Sequence, residues 1–188
     1  MFTLKVDNEI ELQLFERHHA FKLFQLVEDN RNHLRKWLPW VDSMTSPYQF
    51  ETIIPVWLNQ FAESTGFNVG ILYKGELVGS IGLHQMDWHN SMTSIGYYLA
   101  RNAEGHGVMT RAVQALLNYA FNQLGLNRVE IRCGVKNKKS RAIPERLGFT
   151  KEGLIRDGEK LNGHFHDLIV YSMLAREWNT LGLINKNL

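Results

Sequence analysis

The chain has 188 residues, 44% of them hydrophobic, 21% charged and 11% aromatic, with a net charge of +2. A chain of this size buries about 70% of the surface its unfolded form exposes, so disordered, fibrous and disulfide-framework classes are excluded. The lone cysteine, Cys133, fits a reducing, cytoplasmic protein; the start MFTLKVDNEIE lacks the basic-then-apolar order of a secretory signal, and no run nears the roughly 18 apolar residues of a membrane span.

The small net charge conceals a division. Residues 1–94 hold 7 Lys and Arg against 11 Asp and Glu, whereas residues 95–188 hold 14 against 8. Lys136, Lys138, Lys139 and Arg141 crowd into six positions of the basic half. Such a split suits an anionic ligand on one side and a cationic one on the other; a solvated loop without a partner is the alternative.

In chain order, Glu9 to Phe15 alternates Ile10, Leu12 and Leu14 with polar residues, the period of a half-buried strand. Ala20, Leu23, Phe24 and Val27 recur at helical spacing, and a second helical stretch ends near Trp37 to Trp40, where Pro39 biases Leu38 away from helix. Tyr48 to Phe61 is helical with Pro55 interrupting it. Phe67–Tyr73 and Leu77–Leu83 are strands joined by a turn at Lys74-Gly75-Glu76, and Ser91 to Leu99 is the next strand. From Val108 a helix places Val113, Leu116, Leu117, Ala120 and Leu124 on one face and ends at Gly125. Arg128 to Val135 alternates as a strand, Ser140 to Leu147 forms a short helix closed by Gly148, and Phe165 to Met173 is a last strand. The tail after Ala175 is helical or frayed. The pattern predicts one α/β domain over 1–188 with a mixed sheet.

The stretch from Tyr97 to Val113, YYLARNAEGHGVMTRAV, carries the clearest chemistry. A strand ends near Ala100, Gly105 and Gly107 let the backbone bend, and a helix begins at once. Free amides at a new helix N-terminus, reinforced by its dipole, suit an anion such as pyrophosphate; a tight connection binding nothing is the plain alternative. A P-loop is excluded, since lysine does not precede Thr110, and so is the three-glycine dinucleotide fingerprint, whose third glycine position falls on Thr110.

EGHGVM resembles the acyl-CoA loop of the GNAT acetyltransferases, Gln/Arg-x-x-Gly-x-Gly/Ala. Glu104, Gly107 and Met109 fall on its specified positions, with Glu104 and Met109 departing from it. NKKSRAIPERLGF, Asn137 to Phe149, resembles the Asn-x-x-Ser helix ending in Leu-Gly-Phe of the RimJ/RimL branch, which acetylates N-terminal amines of ribosomal proteins. WLPW near residue 38 and HDLIVYSML from His166 to Leu174 resemble it too, so the likeness spans residues 9–178. It implies the GNAT fold, a mostly antiparallel sheet with one splayed parallel strand pair and flanking helices.

The resemblance also implies roles. Amides of Gly105, His106, Gly107, Val108, Met109 and Thr110 would cradle the pyrophosphate of acetyl-CoA. Leu99 would offer its amide to the thioester carbonyl, and Asn137 would bond the pantetheine or its neighbouring backbone. Ser140 would protonate the leaving thiolate and Glu159 would serve as general base. Each has a plainer reading: Ser140 as a helix N-cap, Glu159 as an exposed loop carboxylate. Pro144 deprives the Ser140 carbonyl of its helical donor, leaving an acceptor for a ligand or water. Lys138, Lys139 and Arg141 would meet the CoA 3′-phosphate or simply be solvated. His164 and His166 share a strand face without a third ligand, so no metal is expected. Cys133 lies on an inward face, which favours direct attack over an acyl-enzyme.

An α-amine with pKa about 7.7–8.0 is roughly a tenth neutral at pH 7, whereas a lysine-like amine near 10.4 is neutral a few times in ten thousand, a gap of about 3.4 kcal/mol. No dense acidic cluster suits a polycation. Trp37, Trp40 and Trp88 are candidates to floor a peptide groove, with core packing as the alternative role. The expected acceptor is therefore a protein or peptide N-terminus, in line with the ribosomal substrates of the family, on a monomer or homodimer with no direct nucleic-acid contact. A small amine acceptor such as a polyamine or aminoglycoside, or a non-catalytic CoA-binding module, are the other readings.

Overall fold

The computed structural model describes residues 2–185. Eight strands form one sheet: β1 (Thr3–Lys5), β2 (Ile10–Leu14), β3 (Phe67–Tyr73), β4 (Glu76–Asp87), β5 (Met92–Leu99), β6 (Arg128–Gly134), β7 (Thr150–Leu161) and β8 (His164–Leu174). Their spatial order is β1-β2-β3-β4-β5-β6-β8-β7, antiparallel throughout except between β5 and β6. The helices are α1 (Ala20–Asp29), α2 (Arg31–Leu34), α3 (Pro47–Ala62), α4 (Val108–Asn118), α5 (Lys138–Arg146) and α6 (Ala175–Asn185). The mixed sheet with flanking helices is the expected architecture.

The alternation along each strand divides two cores. On one face Ile81, Ile95, Val129, Ile131, Tyr171 and Met173 pack beneath α4, whose Val113, Leu116 and Leu117 are the apolar stripe expected from spacing. On the other, α1 and α3 close over Phe15, with Leu77 and Tyr98 facing them from the sheet. The β3–β4 turn uses Lys74 and Gly75 at φ +52° and +83°, the pair of left-handed residues that a two-residue hairpin requires.

Four elements differ from the sequence expectation. Pro55 does not interrupt α3, which runs unbroken for 16 residues. It stands on the solvent side, where water can satisfy the carbonyl that loses its partner, while Phe50 and Ile54 hold the helix down from the other. The second helical stretch shrinks to the four residues of α2. Two strands, β1 and β7, lie at the sheet edges; both are mostly exposed and so lack the apolar alternation that marks a strand.

The β5–β6 pair positions the site. The two strands are parallel and in register only from Met92 to Ser94 against Arg128 to Glu130, and then diverge. β5 therefore runs from Tyr97 to Leu99 with one edge unpaired. Ala100 donates its amide to Val78 on β4 at 2.7 Å, so the alternation of an antiparallel ladder turns the Leu99 amide the other way, into the gap.

Candidate functional site

A cavity of about 1090 Å³ opens at this divergence. Leu99, Gly105, Gly107, Val108, Met109 and Thr110 line it from the β5–α4 side. Asn137 and Ser140 on the α5 side, Glu159 on β7 and Trp37 after α2 complete the expected residues brought to its wall.

The glycine loop is shaped by backbone conformation. Gly105 and Gly107 have φ of +82° and +70°, and a Cβ at either would meet nothing within 4 Å, so handedness and not space requires glycine. Gly107 is the N-cap residue of α4 and carries no side-chain cap, which leaves the first amides of that helix without a side-chain partner. Val108 and Met109 bury their side chains in the core and can offer only their backbones. The loop is anchored from behind: Arg111 donates to the His106 carbonyl at 3.2 Å and pairs with Asp7 at 2.7 Å and Glu9 at 3.2 Å. The His106 ring stacks on Tyr73 outside the cavity wall. Arg146, which the sequence reading did not single out, donates to the Thr110 hydroxyl at 2.8 Å and adds a cation beside the loop.

At α5, Asn137 is the N-cap: its side-chain oxygen accepts the Ser140 amide at 3.2 Å. Ser140 is thus the third residue of the helix, not its cap, and its hydroxyl is left for other partners. That hydroxyl lies 3.2 Å from Cys133 Sγ and 3.4 Å from the Tyr97 hydroxyl. The Ser140 carbonyl, stripped of its helical donor by Pro144, accepts from Tyr97 Oη at 3.0 Å; a protein side chain fills the place that the sequence had assigned to ligand or water. Burial pushes both the Tyr97 phenol and the Cys133 thiol up, so both remain protonated at neutral pH.

Glu159 is no loop residue. It pairs with His166 on β7–β8, just past a bulge, and is half-buried; burial raises its carboxyl above the usual range, with nearby His166 pulling the other way. Ile169 and Tyr171 of β8 belong to the core beneath α4, so His166, Leu168 and Glu159 face the opposite side of the sheet. Ser140 approaches from the α4–α5 side. The divergence of β5 and β6 lets a hydroxyl on one face and a carboxylate on the other address one cavity.

The aromatic group is dispersed. Trp37 lines the cavity beside Gly134, Trp40 packs edge-on against Tyr98 at 5.5 Å within the α1–α3 core, and Trp88 lies elsewhere, donating to the Ser64 carbonyl at 2.7 Å. The basic run is dispersed too. Arg141 turns inward to Tyr171 at 3.1 Å and the Val135 carbonyl at 3.0 Å. Lys139 pairs with Glu104 at 2.5 Å, whose other oxygen is 3.3 Å from His33 on α2. Lys138 faces an adjoining cavity of about 410 Å³ with Lys36, Lys136 and Arg101. Among the described residues no group of three metal-ligating side chains occurs and no helix is long and apolar enough to cross a membrane.

A sheet split by one short parallel pair, with a glycine loop opening a helix at the split, places free helix-start amides and an unpaired strand edge on one cavity. Residues 9–150 match the acetyltransferase (GNAT) domain family, and the chain belongs to it: it is a GNAT N-acetyltransferase. It is 46% identical over 179 residues, 95% of this chain and 98% of the relative, to YdaF of Bacillus subtilis (strain 168), provisionally named a ribosomal N-acetyltransferase. The ribosomal-protein-serine acetyltransferase of Escherichia coli (strain K12) is 29% identical over 92% of this chain and 96% of its own. Among solved structures, RimL, a ribosomal L7/L12 α-N-protein acetyltransferase in complex with coenzyme A, superimposes with a TM-score of 0.90 at 27% identity, covering 94% of this chain and 99% of that one.

Proposed function

We propose that this chain transfers acetyl from acetyl-CoA to the N-terminal α-amine of a protein, of ribosomal type, by direct attack of the amine. The observation that carries the reading is a single cavity onto which the glycine-loop amides, the Leu99 amide turned into the strand gap, Ser140 and Glu159 converge. The residues fit the cofactor: free amides and Arg146 for phosphate oxygens, and an unpaired strand edge for an extended amide-bearing arm. When bound, acetyl-CoA supplies the thioester. Glu159, with its raised pKa, accepts a proton from the incoming ammonium more readily than an ordinary carboxylate. The Leu99 amide stabilises negative charge on an acyl oxygen, and Ser140 supplies a proton to a departing sulfur. Cys133, buried and held neutral, is a poor nucleophile.

The similarity to RimL and to the Escherichia coli serine acetyltransferase supports a protein N-terminus over a small amine, as does the lower pKa of α-amines. Calorimetric titration with acetyl-CoA, alongside a Gly107→Trp variant, tests the cradle: wild type binds and the variant does not. Acetylation of peptides with free N-termini, compared with polyamines and aminoglycosides, then tests the acceptor. A wild type that binds no acetyl-CoA overturns the cofactor assignment, and one that acetylates only small amines overturns the acceptor.

A further inference from the structure

The Tyr97 hydroxyl spans the divergence between β5 and α5. It reaches 43 residues along the chain to a carbonyl that has lost its normal partner. In an uninterrupted helix the Ser140 carbonyl would accept from residue 144, but Pro144 has no amide hydrogen. Leaving such an acceptor bare in a half-buried wall is costly, so Tyr97 and Pro144 form a matched pair: the proline creates the vacancy and the phenol fills it.

A phenol has one proton, and Tyr97 directs it to the Ser140 carbonyl at 3.0 Å. Its oxygen can then only accept, and Ser140 Oγ stands 3.4 Å away with a proton to give. Cys133 Sγ lies 3.2 Å from Ser140 Oγ and is protonated, so it is able to donate to the same oxygen. With Cys133 donating, the serine proton turns to the Tyr97 side, at a long distance that a stronger acceptor in the cavity readily outcompetes.

We propose that Tyr97 is a positioning residue for acyl transfer: bonded to the carbonyl that Pro144 leaves free, it ties α5 to β5, fixes Ser140 Oγ at the strand gap and holds the serine proton for the leaving thiolate. This rests on the reading of Ser140 as proton donor. In the step it serves, the C–S bond breaks as the C–N bond forms, and the C–S electron pair stays on sulfur. The amine attacks with its ammonium proton already passed through Glu159 to solvent; Glu159 then takes the second nitrogen proton, sulfur takes the Ser140 proton, and proton exchange with solvent restores both side chains.

Two single and two double variants test it, on the full chain. Tyr97→Phe keeps the ring and removes the hydroxyl: kcat falls about tenfold or more while the acetyl-CoA Kd stays within about twofold. Ser140→Ala and Tyr97→Phe combined are no slower than Ser140→Ala alone, because the tyrosine acts through the serine. Without any ligand, Tyr97→Phe melts about 3–6 °C lower than wild type, the cost of a bare carbonyl in a chain of this length. Adding Pro144→Ala gives that carbonyl a helical donor again and recovers most of the lost melting temperature. Unchanged kcat in Tyr97→Phe, losses that multiply with Ser140→Ala, or melting that Pro144→Ala fails to recover each overturn the proposal. Should Tyr97→Phe not fold, recovery of folding by added Pro144→Ala supports the pairing and its failure overturns it. Full activity in Ser140→Ala instead overturns the proton-donor reading on which the proposal rests.

Discussion

Glu159 faces the cavity from a strand that is otherwise mostly solvent-exposed, and burial there lifts its carboxyl above the ordinary value of 4.5. A carboxyl that holds its proton more tightly folded than unfolded costs stability as it ionises: folding free energy declines as pH rises from about 4.5 through the raised value and stays lower above it. Glu159→Gln removes a charge the fold is penalised for burying. Its melting temperature at pH 7.5 is expected to equal or exceed wild type, with the difference vanishing near pH 4, while kcat falls about 100-fold or more. The same variant loses the limb of the kcat/KM profile that rises through the raised carboxyl value, below the separate rise that follows ionisation of the acceptor amine. A variant that melts lower at pH 7.5, or a profile that keeps that limb, overturns the base role. At this scale the motif residues were legible because loop and helix-start signals are local. Tyr97 was not, since its partner lies 43 residues away and its purpose appears only when the Pro144 vacancy is seen beside it.

Elements were legible in proportion to how one-sidedly they are buried. Helix α4 and strands β3, β4 and β6 present regular apolar faces to a core, and the spacing of their residues announced them. Strand β7 has two register shifts and an exposed sequence, so neither alternation nor composition marked it. What holds part of it is electrostatic. Arg128 on β6 donates to both oxygens of Glu152 on β7, at 2.7 and 2.6 Å, and also to Glu130, while the Ser172 hydroxyl of β8 donates to Glu152 at 2.8 Å. The Arg128 bonds, helped by Ser172, hold the Glu152 carboxyl down to about 2 against an opposing desolvation effect. Stability from this pair is complete above the ordinary carboxylate value and is lost as pH falls from about 4.5 toward 2. Because the Glu152 side chain is 38% exposed, solvent screens it, and Glu152→Gln is expected to cost about 1 kcal/mol at pH 7. Chemical denaturation at pH 7 and pH 2.5 checks this: the gap to wild type narrows at the lower pH. An equal gap at both values would assign the cost to packing instead.

On the scale of the whole molecule, the sheet divides two cores, and the cavity opens where β5 and β6 stop holding each other. Three segments meet at its mouth: α2, the glycine loop and the start of α5. Glu104 joins them, one oxygen 3.3 Å from His33 and the other 2.5 Å from Lys139. Glutamate stands where the family motif has glutamine or arginine, so the chain places a carboxylate beside a loop suited to a dianion. The clasp therefore has two opposed effects. It orders the mouth, and it opposes phosphate both by its own charge and by occupying Lys139, a cation otherwise free to meet an anion. Its lysine end is weakly held, since Lys139 is 74% exposed and an exposed pair of this kind contributes little. The repulsion acts at close range on a multiply charged ligand, so it is the larger of the two. Glu104→Gln keeps an oxygen for Lys139 or His33 and removes the charge. It is expected to tighten acetyl-CoA about threefold to tenfold, roughly 1 kcal/mol, and to make binding more sensitive to salt because Lys139 is released to the ligand. Calorimetry at two ionic strengths decides the matter: weaker binding by Glu104→Gln at both would mean that tying α2 to α5 matters more to this site than the charge that does the tying.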